Sequence, residues 1–230
     1  MTTGGERLTQ QIDALAGVDA AGRLVGPGPD LYVFRSPEWA ICRCHARLAG
    51  DVVAELEAVA RATRGRPRDW PRAYGRYLSI LGSAGRVTAM RAGPLYRVPA
   101  PPPELAPATR ITPANAELLS DGLDEWLPDV AASLPMCAAI VDGRAVSLCA
   151  SVHAARSAHA AGVETLPAWR GRGLASQAVA AWAQVVLDEG ATPFYGTTFD
   201  NLASQGVARR LGMELVGSEF SLTCERAADG

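Results

Sequence analysis

Apolar residues recur at helical spacing in several stretches of the chain, and shorter apolar runs separate them. Leu8, Ile12, Leu15 and Ala16 predict a short amphipathic helix over Glu6 to Ala16. Val52, Leu56, Val59 and Ala60 fall on one side of a predicted helix over Asp51 to Ala62, and a further helix is expected over Trp70 to Leu81, behind Pro71. Leu31 to Phe34 and Trp39 to Cys44 read as strands, as do Arg86 to Met90 and Leu95 to Val98, the last two around a turn at Gly93-Pro94. Pro99, Pro101, Pro102, Pro103 and Pro107 then follow. Such a run suits neither a helix interior nor a central strand, so it reads as an extended spacer.

Beyond the spacer the pattern is more regular. Thr112 can cap a helix that begins at Pro113 and carries Leu118 and Leu119. Cys137 to Val141 and Ala145 to Val152 read as strands joined by Asp142-Gly143, a strong hairpin signal. Ser157 to Leu166 is a third strand. Leu174, Ala178, Trp182, Val185 and Val186 then predict a helix running to about Glu189. A strand over Thr192 to Thr198, a helix over Asn201 to Leu211 and a strand over Glu214 to Cys224 complete the order. The expected class is α/β (α+β), divided into an α/β region over 1–98, a linker over 99–107 and a second domain over 108–230.

Between the third strand of the second half and its long helix stands Arg170-Gly171-Arg172-Gly173-Leu174-Ala175. The first N–H groups of a helix have no partner within it, and the dipole there favours negative charge. Gly171 and Gly173 let the backbone approach an anion closely, because no Cβ intervenes. Arg170 and Arg172 add guanidinium groups that match phosphate oxygens. The segment predicts a phosphorylated ligand.

Composition removes other classes. The 230 residues carry a formal net charge of −2, so no global basic field points to nucleic acid. All 22 basic residues are arginine, which reads as GC-rich coding bias. No stretch approaches the ~20 apolar residues that span a bilayer, and the first residues lack an apolar signal core, so a cytoplasmic protein is expected. Five cysteines without a framework spacing suggest reduced thiols. Cys42-Arg43-Cys44-His45 lacks a second ligand pair, which favours alternating residues of one strand over a metal site.

Residues 108–224 resemble the GNAT superfamily of acetyl-CoA-dependent N-acetyltransferases. Arg170-Gly171-Arg172-Gly173-Leu174-Ala175 fits the family's pyrophosphate motif, with Arg170, Gly173 and Ala175 at its fixed positions, and Asn201 with Leu211-Gly212-Met213 fits its second motif at the expected separation. The resemblance implies a mixed, mostly antiparallel central sheet flanked by helices, with acetyl-CoA as the acyl donor. It implies that the backbones of Val163, Glu164 and Thr165 pair with the pantetheine arm. The N–H groups of Gly171, Arg172, Gly173, Leu174, Ala175 and Ser176 would cradle the pyrophosphate, and Asn201 and Ser204 would contact the cofactor arm. Arg209 or Arg210 could reach the adenosine phosphates, against the plainer reading of solvated helix arginines. Residues 1–98 would pack over the acceptor side or form a second, degenerate half.

Acetyl transfer to an amine needs a proton acceptor for the amine and a donor for the developing oxyanion, and an acid for the thiolate helps. Backbone N–H groups where the strands splay at Val163 and Tyr195 would serve the oxyanion. Many relatives carry a tyrosine acid seven residues after the motif asparagine, where this chain has Ala208; the glutamate that some place five residues before it is Gly196 here. Glu164 is the leading base, with His159 and His153 behind it, and Tyr195 could line the cleft as the second catalytic candidate. Asp200 suits a helix cap, and nothing marks Cys149 as an activated nucleophile. The expected partner is a small-molecule amine, with neither nucleic acid nor membrane, and a homodimer is compatible with the reading. Peptide N-termini, or acyl-CoA binding without turnover, are the alternatives.

Overall fold

The computed structural model describes residues 3–36, 38–62, 74–98, 100 and 103–225. In chain order it holds α1 (Thr3–Ala16), β1 (Leu31–Arg35), β2 (Ala40–Cys44), α2 (Gly50–Ala62), α3 (Tyr74–Ala84), β3 (Arg86–Arg97), β4 (Thr109–Ile111), β5 (Met136–Val141), β6 (Arg144–Ala155), β7 (Ala158–Thr165), α4 (Leu174–Asp188), β8 (Thr192–Gly196), α5 (Leu202–Arg210) and β9 (Glu214–Glu225). Short 3₁₀ helices cover Pro113–Leu119, Asp124–Asp129 and Pro167–Trp169. The expected helix start at Trp70 and Pro71, and much of the proline run, lie outside the described residues. Among the described residues no helix is long and apolar enough to cross a membrane.

The chain forms two compact units: residues 1–95, 196–201 and 215–230 make the first, and residues 96–195 and 202–214 the second. This differs from the expected division at the proline run, which left the whole C-terminal stretch in the second domain. Strand pairing is the reason. β9 lies antiparallel to β1 from Leu31↔Leu222 to Arg35↔Ser218, so the C-terminal strand completes a sheet begun near the N-terminus.

In the first unit the strands run in the order β2-β1-β9-β3. Leu31, Val33, Phe220 and Leu222 alternate onto one face and pack with Leu56 and Val59 of α2 and Tyr77 and Leu81 of α3. The two strands expected around Gly93-Pro94 are one continuous strand. Gly93 does not turn the chain; a Cβ there would lie 1.7 Å from the Thr197 carbonyl oxygen, so the residue permits a close backbone approach.

The second unit orders its strands β8-β7-β6-β5-β4. Asp142 and Gly143 take φ of 51° and 78°, the left-handed pair that a two-residue hairpin needs between β5 and β6. The helix expected from Pro113 is a 3₁₀ segment, and Thr112 N–H donates to Asn115 Oδ1 at 2.7 Å at its start. Leu119, Leu123 and Val130 from the 3₁₀ region bury against Met136, Ala138, Leu148 and Ala150 of β5 and β6. β7 meets β8 in a parallel pair, and the pairs β4–β5, β5–β6 and β6–β7 are antiparallel. The sheet is therefore mixed and mostly antiparallel, with helices packed on it.

Candidate active site

The opening of β7 from β8 creates the first part of the site. Their ladder runs through Ala158↔Thr192, His159↔Pro193 and Ala160↔Phe194, whereas β7 itself continues to Thr165. Pro193 has no N–H to give to a ladder. On its other edge β7 stays paired to β6 as far as Ser147↔Thr165. Leu166 N–H donates to Val146 O at 3.0 Å, and Ser147 Oγ donates to Glu164 O at 3.0 Å. Antiparallel alternation then turns the backbone groups of Val163 and Thr165 away from β6, to the open edge. The Val163 backbone lies on that open edge, as does the Thr165 carbonyl, which accepts Arg170 Nε at 3.1 Å. The backbone of Glu164 faces β6 instead, which removes it from the set expected to pair with an arm inserted here.

The glycine turn follows. Gly171 and Gly173 adopt φ of 77° and 82°, a region costly to other residues. Gly173 caps α4 without a side-chain bond, and the first backbone bond of the helix is Gln177 N–H to Gly173 O at 3.2 Å. The N–H groups of Leu174, Ala175 and Ser176 therefore stand ahead of the helical ladder. The arginines are placed differently from expectation. Arg170 donates through Nε to Thr165 O at 3.1 Å, and the Arg172 guanidinium lies 4.7 Å from the Trp169 ring centre. The arginine against the turn is Arg210, near the end of α5: a Cβ on Gly173 would lie 2.5 Å from its Nη1. The absent side chain at Gly173 thus leaves room for a cation beside a helix N-terminus, a cradle that fits a phosphate.

Titratable groups gather around β7. Glu164 projects to the face of the 3₁₀ segments, where its Oε2 accepts a hydrogen bond from Trp126 Nε1 at 2.6 Å. Trp126 carried no sequence signal, because Asp124-Glu125-Trp126-Leu127-Pro128-Asp129 lacks periodicity. His159 turns to the opposite face: its Nδ1 lies 2.8 Å from Ser151 Oγ, which in turn accepts from Trp182 Nε1 at 3.0 Å. Burial holds the His159 ring below its ordinary pKa. That network locks the imidazole into the core and away from the base role considered for it. His153 is exposed beside a bulge in β6. Cys149 is fully buried, and burial pushes its thiol well up, which argues against a nucleophile.

Tyr195, on β8, is 2% exposed, and its hydroxyl lies 2.5 Å from Ser204 Oγ on α5. Burial pushes its phenol up to about 12, which makes it a poor proton donor to a thiolate. Ser204 thus meets Tyr195 within the second unit, whereas Asn201 belongs to the first, where its N–H donates to Thr198 O at 3.2 Å. Asp200 lies beside it, its carboxyl held low by the Thr198 hydroxyl. Ala208 is buried at 1% exposure. Also within the first unit, a Cβ on Gly196 would lie 3.0 Å from Glu219 Oε2, a carboxylate whose other oxygen accepts from the Tyr32 hydroxyl at 2.5 Å. Burial raises the Glu219 carboxyl. Cys42, Cys44 and His45 serve the first unit's structure, with His45 Nε2 2.9 Å from Gly26 O.

Residues 137–218 match the family model described as GNAT acetyltransferase. No curated protein matches the sequence. Among solved structures, a GNAT-family protein from Novosphingobium aromaticivorans is similar over 95% of this chain and 99% of its own, at 15% identity and a TM-score of 0.56. A GCN5-related N-acetyltransferase from Kribbella flavida aligns over 99% of this chain and 97% of its own, at 18% identity and a TM-score of 0.50. A GNAT-family acetyltransferase from Colwellia psychrerythraea covers 90% of this chain and 80% of its own, at 11% identity and a TM-score of 0.50. At these identities the likeness is one of fold.

Proposed function

We propose that the chain is an acetyltransferase of the GNAT type, which transfers an acetyl group from acetyl-CoA to a primary amine of a small molecule; the match of residues 137–218 to the family model supports the reading. One observation carries the reading: an opened strand pair leads into a glycine turn whose cradle is shared by a helix N-terminus and Arg210. The N–H groups of Leu174, Ala175 and Ser176, with Arg210, hold the pyrophosphate. Backbone groups of Val163 and Thr165 pair with the pantetheine arm, as an added strand pairs with a sheet edge.

Glu164 accepts the proton of the attacking amine, and the N–H of Val163 supports the oxygen on which charge develops. The leaving thiolate has an ordinary pKa near ~8.5, so it departs without a strong acid. Tyr195 fixes Ser204 and the start of α5 through their hydroxyl contact, which is a positioning role and not proton donation.

Isothermal titration with acetyl-CoA tests the donor half, and a panel of amines followed by thiol release tests the acceptor half. We expect saturable binding that Gly173→Ala weakens by about tenfold or more, because the new methyl must displace Arg210 and strain a left-handed backbone. Absence of acetyl-CoA binding by the native chain sinks the proposal. Binding with no thiol release for any amine favours a module that holds acyl-CoA without turnover. The buried phenol of Tyr195 and the alanine at 208 lend that second reading its weight.

A further inference from the structure

The segment Gly122–Trp126 grips the end of β7 at three points, all on one face of the strand. Gly122 has φ of 129°, and a Cβ there would lie 2.9 Å from Leu166 Cδ2, so the Leu166 side chain occupies the space that the glycine leaves. Two residues back, Glu164 Oε2 takes the Trp126 indole N–H at 2.6 Å. Two further back, a Cβ on Gly162 would lie 3.1 Å from Trp126 Cη2 and 2.2 Å from Val152 Cγ1. Leu166, Glu164 and Gly162 alternate onto the same side of the strand. The ring therefore lies along β7 from Gly162 to Glu164, and a Cβ at 162 would crowd both it and Val152.

The segment that delivers the ring is itself fixed. Gly122 N–H donates to Asp124 Oδ2 at 2.8 Å, Trp126 N–H donates to Leu123 O at 3.1 Å, and Leu123 is 1% exposed. The indole nitrogen is a donor only, and a carboxylate oxygen accepts only, so the pair has one sense. Glu164 Oε1 takes no hydrogen bond from the described residues. One oxygen is thus tethered, and the other is left to meet a proton.

We propose that Trp126 is a positioning residue for Glu164, holding Oε2 so that Oε1 is presented to the amine. The proposal rests on the reading of Glu164 as the proton acceptor. In the step, the amine nitrogen forms the new bond to the acetyl carbon while the thioester C–S bond breaks. The proton leaves nitrogen for Oε1, and the electron pair of the broken bond stays on sulfur. Tethering removes rotamers of a long, flexible carboxylate before the amine arrives, which is the entropic share of catalysis that a positioning group supplies.

The experiment is a double-mutant cycle on Trp126→Phe and Glu164→Gln, with Trp126→Tyr made in parallel so that loss of fold in one variant, read from its thermal melt, leaves the other. Phenylalanine keeps an aromatic ring over Gly162 and lacks the N–H. We expect Trp126→Phe to lower kcat roughly 10-fold, part of the 10²–10⁴ that a positioned base contributes. The acceptor KM and the acetyl-CoA affinity should stay within about twofold, since neither binding contact is touched. In the Glu164→Gln background the same change should have no further effect. Equal losses in both backgrounds, or native turnover in Trp126→Phe alongside an impaired Glu164→Gln, overturn the positioning role and leave the base reading standing. Native turnover in Glu164→Gln overturns the base reading, and the positioning role with it.

Discussion

His159 and Ser151 make a pair 2.8 Å apart in the core of the second unit, with Trp182 donating to the same hydroxyl. With the indole N–H directed at Ser151 Oγ, the serine proton is free to point at Nδ1 of a neutral imidazole. Burial lowers the ring's pKa, so the unfolded chain binds the proton more readily than the native one. The stability this group contributes is present above the unfolded value of about 6.5 and is lost as pH falls from there through the depressed folded value. Denaturant titrations at pH 7.5 and 5.5 should therefore show a fall for the native protein. The fall should shrink in His159→Gln, which keeps polar atoms near Ser151 and cannot titrate; an equal fall in both would assign the loss to other groups. Residue-level chemistry of this kind was partly open to sequence reading. The strand alternation that separates His159 from Glu164 was visible. The partners were not: Trp126 and Trp182 are brought to β7 from elements far along the chain, and a register shift in β6 decides that Ser151 meets His159.

Elements with strong local signals formed where the pattern placed them. Asp142-Gly143 needs only its own two residues to turn a hairpin, and α4 declares itself through its apolar spacing. Gly93-Pro94 misled because the same residues that make turns also make close approaches, and only the partner strand distinguishes the two. That partner is the segment after β8: Thr197 N–H donates to Pro94 O at 3.2 Å and Phe199 N–H to Ala92 O at 3.1 Å. We predict that Gly93→Ala destabilises the protein by about 3 kcal/mol, the upper end of overpacking costs, because backbone must move to admit the methyl. Urea titration at neutral pH measures it, and a loss below about 1 kcal/mol would mean that β3 slides freely past residue 197. The 3₁₀ stretch over Asp124–Asp129 is illegible in the sequence for the opposite reason. It has no period to detect, although it carries the indole that meets Glu164.

At the scale of the whole molecule, the two compact units do not follow the order of the chain. The resemblance that covers residues 108–224 treats the later half as self-sufficient, yet β9 takes its antiparallel partner from β1. Asp30 strengthens that link: it accepts Arg47 Nε at 2.6 Å and Cys224 N–H at 2.7 Å, and its carboxyl, though raised by burial, is held low overall by those bonds. A fragment starting at Ala108 should consequently keep the strands β4 to β8 and lose the order of its C-terminal strand. Limited proteolysis should cut it after about residue 214, where the second unit ends. A fragment resistant there, with a cooperative melt, would show that β9 needs no partner from the N-terminal region.

The pairing of β1 with β9 also sets a schedule for biosynthesis. Arg35 and Ser218 are neighbours in the folded sheet, but roughly 180 residues of translation separate them, on the order of 10–40 s at common elongation rates. Throughout that interval one edge of β1 has left the ribosome without its strand. An edge of unpaired backbone N–H and C=O groups is open to non-native pairing until β9 has been made.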